Sequence, residues 1–375
     1  MTADPIGGVW TYALELARTL RPHGIEIILA TMGRSLTPEQ WQQVQACPNI
    51  QVCESDFKLE WMENCWDDVA RAGEWLLECE QRFQPELIHL NGYAHAVLPW
   101  SAPVLVAGHS CVLSWWRAVR GEQAPACWNA YRDAVERGLH AANLVVAPSR
   151  TMLAAIDEHY GPLPHTKVIY NGRKLPLAKR KPKEPFILAA GRLWDKAKNL
   201  EILASIAPRL PWPIYLAGED KLTEANANNP SQPLQETSRQ PDNIHFLGQL
   251  SPVVLLDWLS RASIYALPAR YEPFGLSALE AALAGCALVL GDIPSLREIW
   301  GDAALFVPHG DTGVLETILR GLISEPSCLE AWAKRSHARA LEFTTERMGR
   351  AYLEVYSTLA KNWPPHNVDL VLCES

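Results

Sequence analysis

Short apolar runs alternate with amphipathic stretches along most of the chain. In the first half the runs Ile25–Ala30, Ile50–Cys53, Leu87–Leu90, Val104–Ala107, Leu144–Ala147 and Lys167–Tyr170 have the length and composition of buried strands. Helical patterns fall between them, at Trp10–Leu20, Asp67–Phe83, Trp128–His140 and Arg150–His159. The rhythm breaks at Arg173–Pro185, a segment with six basic residues and three prolines that reads as an exposed linker. It then restarts, with strand-like runs at Phe186–Ala190, Ile214–Ala217, Ile244–Leu247, Ile264–Leu267, Ala287–Leu290 and Ala304–Val307. The helical patterns here are Asn199–Arg209, Pro252–Ser260, Leu276–Ala284, Thr312–Ile323 and Cys328–Ala340.

Strands alternating with helices predict parallel sheets covered on both faces. The expectation is an α/β protein with two doubly wound, Rossmann-like domains, residues 1–172 and 186–344, joined by the linker 173–185. A helix in 345–363 packs back on the first domain, and a tail follows at 364–375. The polar stretch Asn226–Asp242 reads as a mobile loop. Ligands of such sheets bind outside the carboxyl ends of the strands, so the natural site is the cleft between the two halves.

Composition narrows the classes. The balance is 34 basic to 42 acidic residues, a net charge of −8, which argues against a nucleic-acid binder. The nine cysteines are odd in number and no pair has CxxC spacing, so free thiols in a reducing cytoplasm are expected. No run approaches the ~18 apolar residues of a spanning helix, and no signal-peptide pattern opens the chain. The basic linker is a candidate for weak contact with an anionic membrane surface, against the plainer reading of a solvated segment. Nine of the 15 tryptophans lie in the first 128 residues. They form an aromatic core, or in part a cleft for a ring-shaped or apolar acceptor, with Trp10, Trp115 and Trp116 the cleft candidates.

The chain lacks GxGxxG, GxxxxGK[ST], HExxH, GxSxG and DxD, which removes the common dehydrogenase, P-loop, zinc-protease, serine-hydrolase and metal-nucleotide signatures. Three segments remain that carry chemistry. Gly7-Gly8 opens a helix, where backbone N–H groups and the helix dipole favour an anion. Gly191-Arg192-Leu193-Trp194-Asp195-Lys196-Ala197-Lys198-Asn199 follows a strand and puts the planar fork of Arg192 beside Lys196 and Lys198, a set that suits a diphosphate. Glu272-Pro273-Phe274-Gly275-Leu276-Ser277-Ala278-Leu279-Glu280 follows another strand and places two carboxylates eight residues apart. Each carboxylate can accept from a vicinal diol, as in a ribose or a hexose.

These segments, with Val168-Ile169-Tyr170-Asn171-Gly172 and Ala217-Gly218, resemble the retaining family 4 glycosyltransferases of GT-B fold. The resemblance runs roughly from Gly7 to Tyr356. It implies a carboxyl-terminal domain that binds a nucleoside diphosphate sugar, UDP- or GDP-type, and an amino-terminal domain on the acceptor side. Arg192 and Lys198 then hold the diphosphate and Glu280 the ribose, while Glu272 touches the transferred sugar. Phe274, Gly275 and Leu276 supply backbone donors, and Gly7 and Gly8 approach the phosphates. His109, in Ala107-Gly108-His109-Ser110, stands at the family's cleft histidine, and Asn171 and Gly218 fall in matching motifs. No metal and no cofactor are implied, and the acceptor is a carbohydrate or another hydroxyl compound.

The chain departs from the family pattern twice. The step from Arg192 to the Lys-Asn pair is one residue long, so Lys196 and Lys198 both stand as phosphate ligands, with Asn199 favouring Lys198. Only six residues precede the glycine pair, and Met1–Asp4 is too short and polar for the usual first strand. The expectation is a start lying upstream, or a lost central strand. Rival readings are a nucleotide-sugar epimerase or phosphorylase of similar fold, and a degenerate protein that binds sugar nucleotides without turnover.

Overall fold

The computed structural model describes residues 1–175, 181–218 and 243–360. The stretch 226–242 and the tail 364–375 lie outside the described residues. Every strand pairing is parallel. In the amino-terminal half β1 (Thr2–Ala3), β2 (Ile27–Thr31) and β3 (Ile50–Glu54) form one ladder, and β4 (Ile88–Leu90), β5 (Val104–Ala107), β6 (Leu144–Ala147) and β7 (Thr166–Val168) form another. The carboxyl-terminal half is one six-stranded sheet built from β8 (Glu184–Ala190), β9 (Ile214–Ala217), β10 (Ile244–Gly248), β11 (Ala262–Leu267), β12 (Ala287–Gly291) and β13 (Leu305–Val307). Its order is β10-β9-β8-β11-β12-β13, so the winding reverses between β8 and β11. The inner strands, such as β5, β6, β8, β11 and β12, are buried, apolar runs because helices cover both faces, whereas the edge strands β3, β7 and β10 are largely not buried.

The seam between the two amino-terminal ladders corrects the expectation of a missing strand. Thr2–Ala3 does form one, in register Thr2 with Ala30 and Ala3 with Thr31. It is only two residues long, so β4 is fastened to it by a side chain: the Asn91 amide donates to the Thr2 carbonyl at 2.6 Å, and the Asn91 N–H donates to Thr2 Oγ1 at 2.9 Å. The Met1 ammonium donates to the Ile28 carbonyl at 2.8 Å, and burial lowers its pKa to about 6. Below Met1 a cavity of about 430 Å³ opens between the starts of β2 and β4, lined by Ile25, Ile27, Leu76, Phe83 and Leu87 among others.

Two crossings join the halves. The chain leaves the first half at Asn171–Arg173 and returns at Phe343–Thr345. They touch: the Arg173 N–H donates to the Phe343 carbonyl at 3.0 Å, and a Cβ on Gly172 would lie 2.1 Å from the Thr344 carbonyl oxygen. The returning helix Thr345–Leu359 packs Met348, Tyr352, Val355 and Tyr356 into the core of the first half, against the helix Gly8–Leu20. The linker ends earlier than the composition suggests, because Glu184 and Pro185 already belong to β8. Its described cations are bonded to the protein rather than merely solvated: Arg173 to Glu15 and Glu280, Lys174 to Glu346, Lys181 to Asp257, and Lys183 to the Leu259 and Ala284 carbonyls.

Candidate functional site

The switch point between β8 and β11 is where an open parallel sheet leaves a crevice. Both charged segments singled out from the sequence emerge there, one after each strand. They are laced together. The Arg270 N–H donates to the Ala197 carbonyl at 2.8 Å and the Asn199 side chain donates to the Pro268 carbonyl at 3.0 Å. Asn199 takes a left-handed φ of 54°, so the helix expected from Asn199 is confined to Glu201–Ile206, with one 3₁₀ turn at Ala207–Arg209.

The site carboxylates and cations pair. Lys198 donates to Glu272 Oε2, and Glu272 Oε1 accepts the Gly275 N–H at 3.1 Å. The Gly275 donor expected to face a ligand is therefore already engaged. Gly275 caps the helix Leu276–Leu283 with a left-handed φ of 91°. Phe274 is buried and meets Phe343 edge-on at 5.7 Å, so its ring serves the core. Lys196 is exposed and makes no ion pair among the described residues, in contrast to Lys198. Arg192 pairs with Asp195 Oδ2 at 2.8 Å and lies over the Trp194 ring. Asp195 is buried, and its Oδ1 also accepts from the Ala197 N–H at 3.0 Å and from the Trp115 indole at 3.3 Å.

Glu280 lies in an otherwise apolar helix and does have a partner. Arg173 Nε donates to its Oε1 at 2.7 Å, while Arg173 Nη1 donates to Glu15 at 2.5 Å. Burial pushes the Glu280 carboxyl up, and the Arg173 guanidinium pulls it back. Gly218, with φ 152°, sits so close to the Gly191 carbonyl oxygen that a Cβ there would lie 1.7 Å from it. Its need for glycine is met by that backbone approach.

The other half presents the matching strand ends. Gly7 caps the helix Gly8–Leu20 with φ 80°, and a Cβ on Gly8 would lie 3.4 Å from Leu276 Cδ1, which brings the glycine pair against the site helix. Asp4, just after β1, accepts the Ile6 N–H at 2.8 Å; burial raises its carboxyl to about 6, with Arg192 and Arg34 pulling the other way. His109 follows β5. Its Nε2 meets Asn91 Oδ1 at 2.8 Å, its ring lies 4.5 Å from that of Tyr12, and burial lowers it to about 4, so it is neutral near pH 7. His109, Asn171 and Tyr352 line one small pocket.

Trp10 does not reach the cleft: it is buried and donates to Gln43. Trp115 does reach it, through Asp195. Further bonds close the two halves on each other. The Tyr271 hydroxyl meets Ser114 Oγ at 2.8 Å, Ser149 Oγ donates to the Pro273 carbonyl at 2.8 Å, and Glu298 accepts the N–H groups of Arg150 and Thr151 and the Tyr170 hydroxyl. Arg173, Glu15 and Tyr271 are site residues that the sequence reading passes over. Glu15 carries a visible signal, a carboxylate on the apolar face of the first helix. Arg173 is masked by the basic residues around it.

Comparison with known proteins bears on the family and the fold. Residues 6–175 match the model of glycosyltransferase family 4, and residues 184–325 match that of the glycosyl transferases group 1. The chain belongs to the group 1, family 4 glycosyltransferases. The glycogen synthase of Mycobacterium tuberculosis is 30% identical over 224 residues, 56% of this chain and 53% of that protein. The chain thus spans about half the length of the curated relatives it matches. Among solved structures, sucrose-phosphate synthase from Thermosynechococcus elongatus superposes with a TM-score of 0.74 at 18% identity, covering 94% of each chain. Anabaena HepE, solved in complex with UDP-glucose, superposes with a TM-score of 0.70 at 17% identity, covering 94% of this chain and 97% of its own. The fold is that of a GT-B glycosyltransferase.

Proposed function

We propose that the protein transfers a sugar from a nucleoside diphosphate sugar, UDP- or GDP-type, to a hydroxyl acceptor with retention of configuration. One observation carries the reading: Arg192, the Lys198–Glu272 pair, Glu280 and the start of the helix Leu276–Leu283 converge at the β8/β11 switch point. HepE, of the same fold, is solved with UDP-glucose, which supports a nucleotide-sugar donor here.

Breaking the anomeric C–O bond builds charge on the departing diphosphate. Arg192 and Lys198 are fixed by carboxylates before any ligand arrives, so they stabilise that charge without reorganising. Lys198 rather than Lys196 is the phosphate ligand in this reading, because Glu272 holds it at the crevice. Glu272, through its remaining acceptor capacity, meets a hydroxyl of the transferred sugar, and Glu280 meets the ribose. Neutral His109 offers a hydrogen bond rather than a charge near the sugar. Cationic side chains do the work that a divalent metal does in DxD enzymes, so transfer proceeds without one. The acceptor enters from the Trp115 and Trp116 side of the first half. The linker cations already bonded to the protein favour no membrane contact. Buried thiols such as Cys65, Cys111 and Cys286 suit a cytoplasmic location.

The test is a thermal-shift panel of UDP-, GDP- and ADP-sugars, with and without magnesium, on the native chain and Glu280→Ala. A ligand at 100 times its Kd adds about 2.7 kcal/mol. A metal-independent shift by one nucleotide class, lost in the variant, supports the proposal. No shift with any donor overturns it, and a shift without transfer or hydrolysis marks a non-catalytic sugar-nucleotide binder.

A further inference from the structure

Arg173 opens the segment whose charge pattern suggests a solvated linker, yet its side chain is only 16% exposed, against 69% for the neighbouring Lys174. It stands between two carboxylates from different halves of the molecule. Nε donates to Glu280 Oε1 on the helix Leu276–Leu283, and Nη1 donates to Glu15 Oε1 on the helix Gly8–Leu20. Glu15 is itself fixed by Arg18 at 2.9 Å. The Arg173 backbone is pinned where the two crossings touch. Among the described residues no group donates to Glu280 Oε2, so one carboxylate oxygen is held and the other is left to accept.

We propose that Arg173 is the positioning residue of the nucleotide site: it orients Glu280 toward a ribose diol and ties that carboxylate, through Glu15, to the opposite half. The proposal rests on the nucleotide-sugar reading above and adds to it the element that sets ribose recognition. A diol needs a charged acceptor with a fixed plane. A carboxylate buried in an apolar helix without a counter-ion would protonate, donate rather than accept, and rotate. The guanidinium opposes both: its Nε anchors one carboxylate oxygen, and its charge favours the ionised form. Because the fork also grips Glu15, Glu280 is fully ordered only when the halves are together, and ribose binding and closure favour each other.

The charged groups facing Glu280 are Arg173 and Glu15, and Arg18 pairs with the same Glu15 oxygen that Arg173 holds. Removing the Arg173 charge leaves Glu280 beside Glu15, and both burial and that like charge then raise its carboxyl. Nucleotide binding in Arg173→Ala therefore strengthens with rising pH, and more steeply than binding by the native chain, in which the guanidinium still pulls the carboxyl down.

The experiment is calorimetric titration of the full chain with UDP and GDP and with their 2′-deoxy counterparts, on the native protein, Arg173→Ala, Arg173→Lys, Glu15→Gln and Glu280→Gln. The native chain is expected to prefer the ribonucleotide at least tenfold. Arg173→Ala and Glu280→Gln should both lose that preference to within threefold, Arg173→Lys should recover part of it, and Glu15→Gln should weaken ribonucleotide binding three- to tenfold with Glu280 untouched. An interdomain brace with no ligand role would lower Tm in Arg173→Ala and keep the ribose preference; that result overturns the inference. If Arg173→Ala does not fold, Arg173→Lys and Glu15→Gln decide by the same preference. A native chain that binds the nucleotides with no ribose preference also overturns the inference and leaves the donor class standing. A native chain that binds neither nucleotide overturns the functional reading itself.

Discussion

The indole of Trp115 donates across the cleft to the carboxylate of Asp195, 3.3 Å away, and the same carboxylate holds Arg192 at 2.8 Å. One buried acid therefore joins the helix Val112–Arg120 of the first half to the cation proposed to hold the diphosphate. Asp195→Ala leaves Arg192 unoriented and the Ala197 N–H unpaired. Donor KM should rise about tenfold, equivalent to about 1.4 kcal/mol of lost binding. Trp115→Phe removes only the cross-cleft bond, so donor KM should change less than threefold while acceptor KM rises more. Initial rates with each substrate varied separately check both.

The two lysines of the same segment separate cleanly. Lys198→Ala removes the cation that Glu272 fixes at the crevice, and kcat should fall 10²–10³-fold, or about 2.7–4 kcal/mol of barrier. Lys196 is exposed, and Lys196→Ala should leave kcat within twofold. Steady-state kinetics on the pair identifies the phosphate ligand.

Asp4 gives a pH signature. Its folded carboxyl lies near 6 against 3.8 in the unfolded chain, because burial disfavours the charge. The folded state thus binds more protons between those values, and the Asp4 contribution to stability falls as pH rises from 4 to 6. Asp4→Asn keeps an acceptor for the Ile6 N–H and carries no charge. Its Tm should exceed the native value at pH 7 by a few degrees and match it at pH 4. Thermal melts at the two pH values decide.

The cavity beneath Met1 is bounded by unpaired stretches of β2 and β4, a shape that takes an extended segment. Three apolar residues added before Met1, such as Val-Leu-Ile, should pair there and replace the buried ammonium with an amide. Each side chain gains about 1.5–3 kcal/mol on burial and loses much of that to ordering, so about 2 kcal/mol net is expected, with Tm up by about 5 °C. A Ser-Gly-Ser extension should give no gain.

Most of the strands, the reversal of winding and both charged segments were legible in the sequence. Buried parallel strands are continuous apolar runs, and glycine, proline and charge punctuate their ends. The helices Pro38–Gln45, Val112–Arg120 and Pro294–Trp300 went unread. They are short, and each shows too few turns for a period to emerge. The strand Thr2–Ala3 was hidden because its place in the sheet is held by the side chain of Asn91, which no pattern of apolar residues encodes. At the site, Glu272, Arg192 and Lys198 stand out because they lie in segments that follow strands, and Glu280 because it is a carboxylate in an otherwise apolar helix. Arg173 looked like one more linker cation, since its two carboxylates lie 158 and 107 residues away in the chain. Of the tryptophans offered as core or cleft residues, Trp10 belongs to the core, where its helical phase puts it.

Gly172 and Thr344 press the two crossing chains together with no space for a methyl group between them. A single strap would let one half swivel on the other. Two straps in contact suppress torsion and leave bending about the line through them as the soft mode. Opening then resembles a book rather than a ball joint, and the page edges must meet in the same alignment at every closing. For a transfer that places one hydroxyl against one anomeric carbon, the aim is set at the spine.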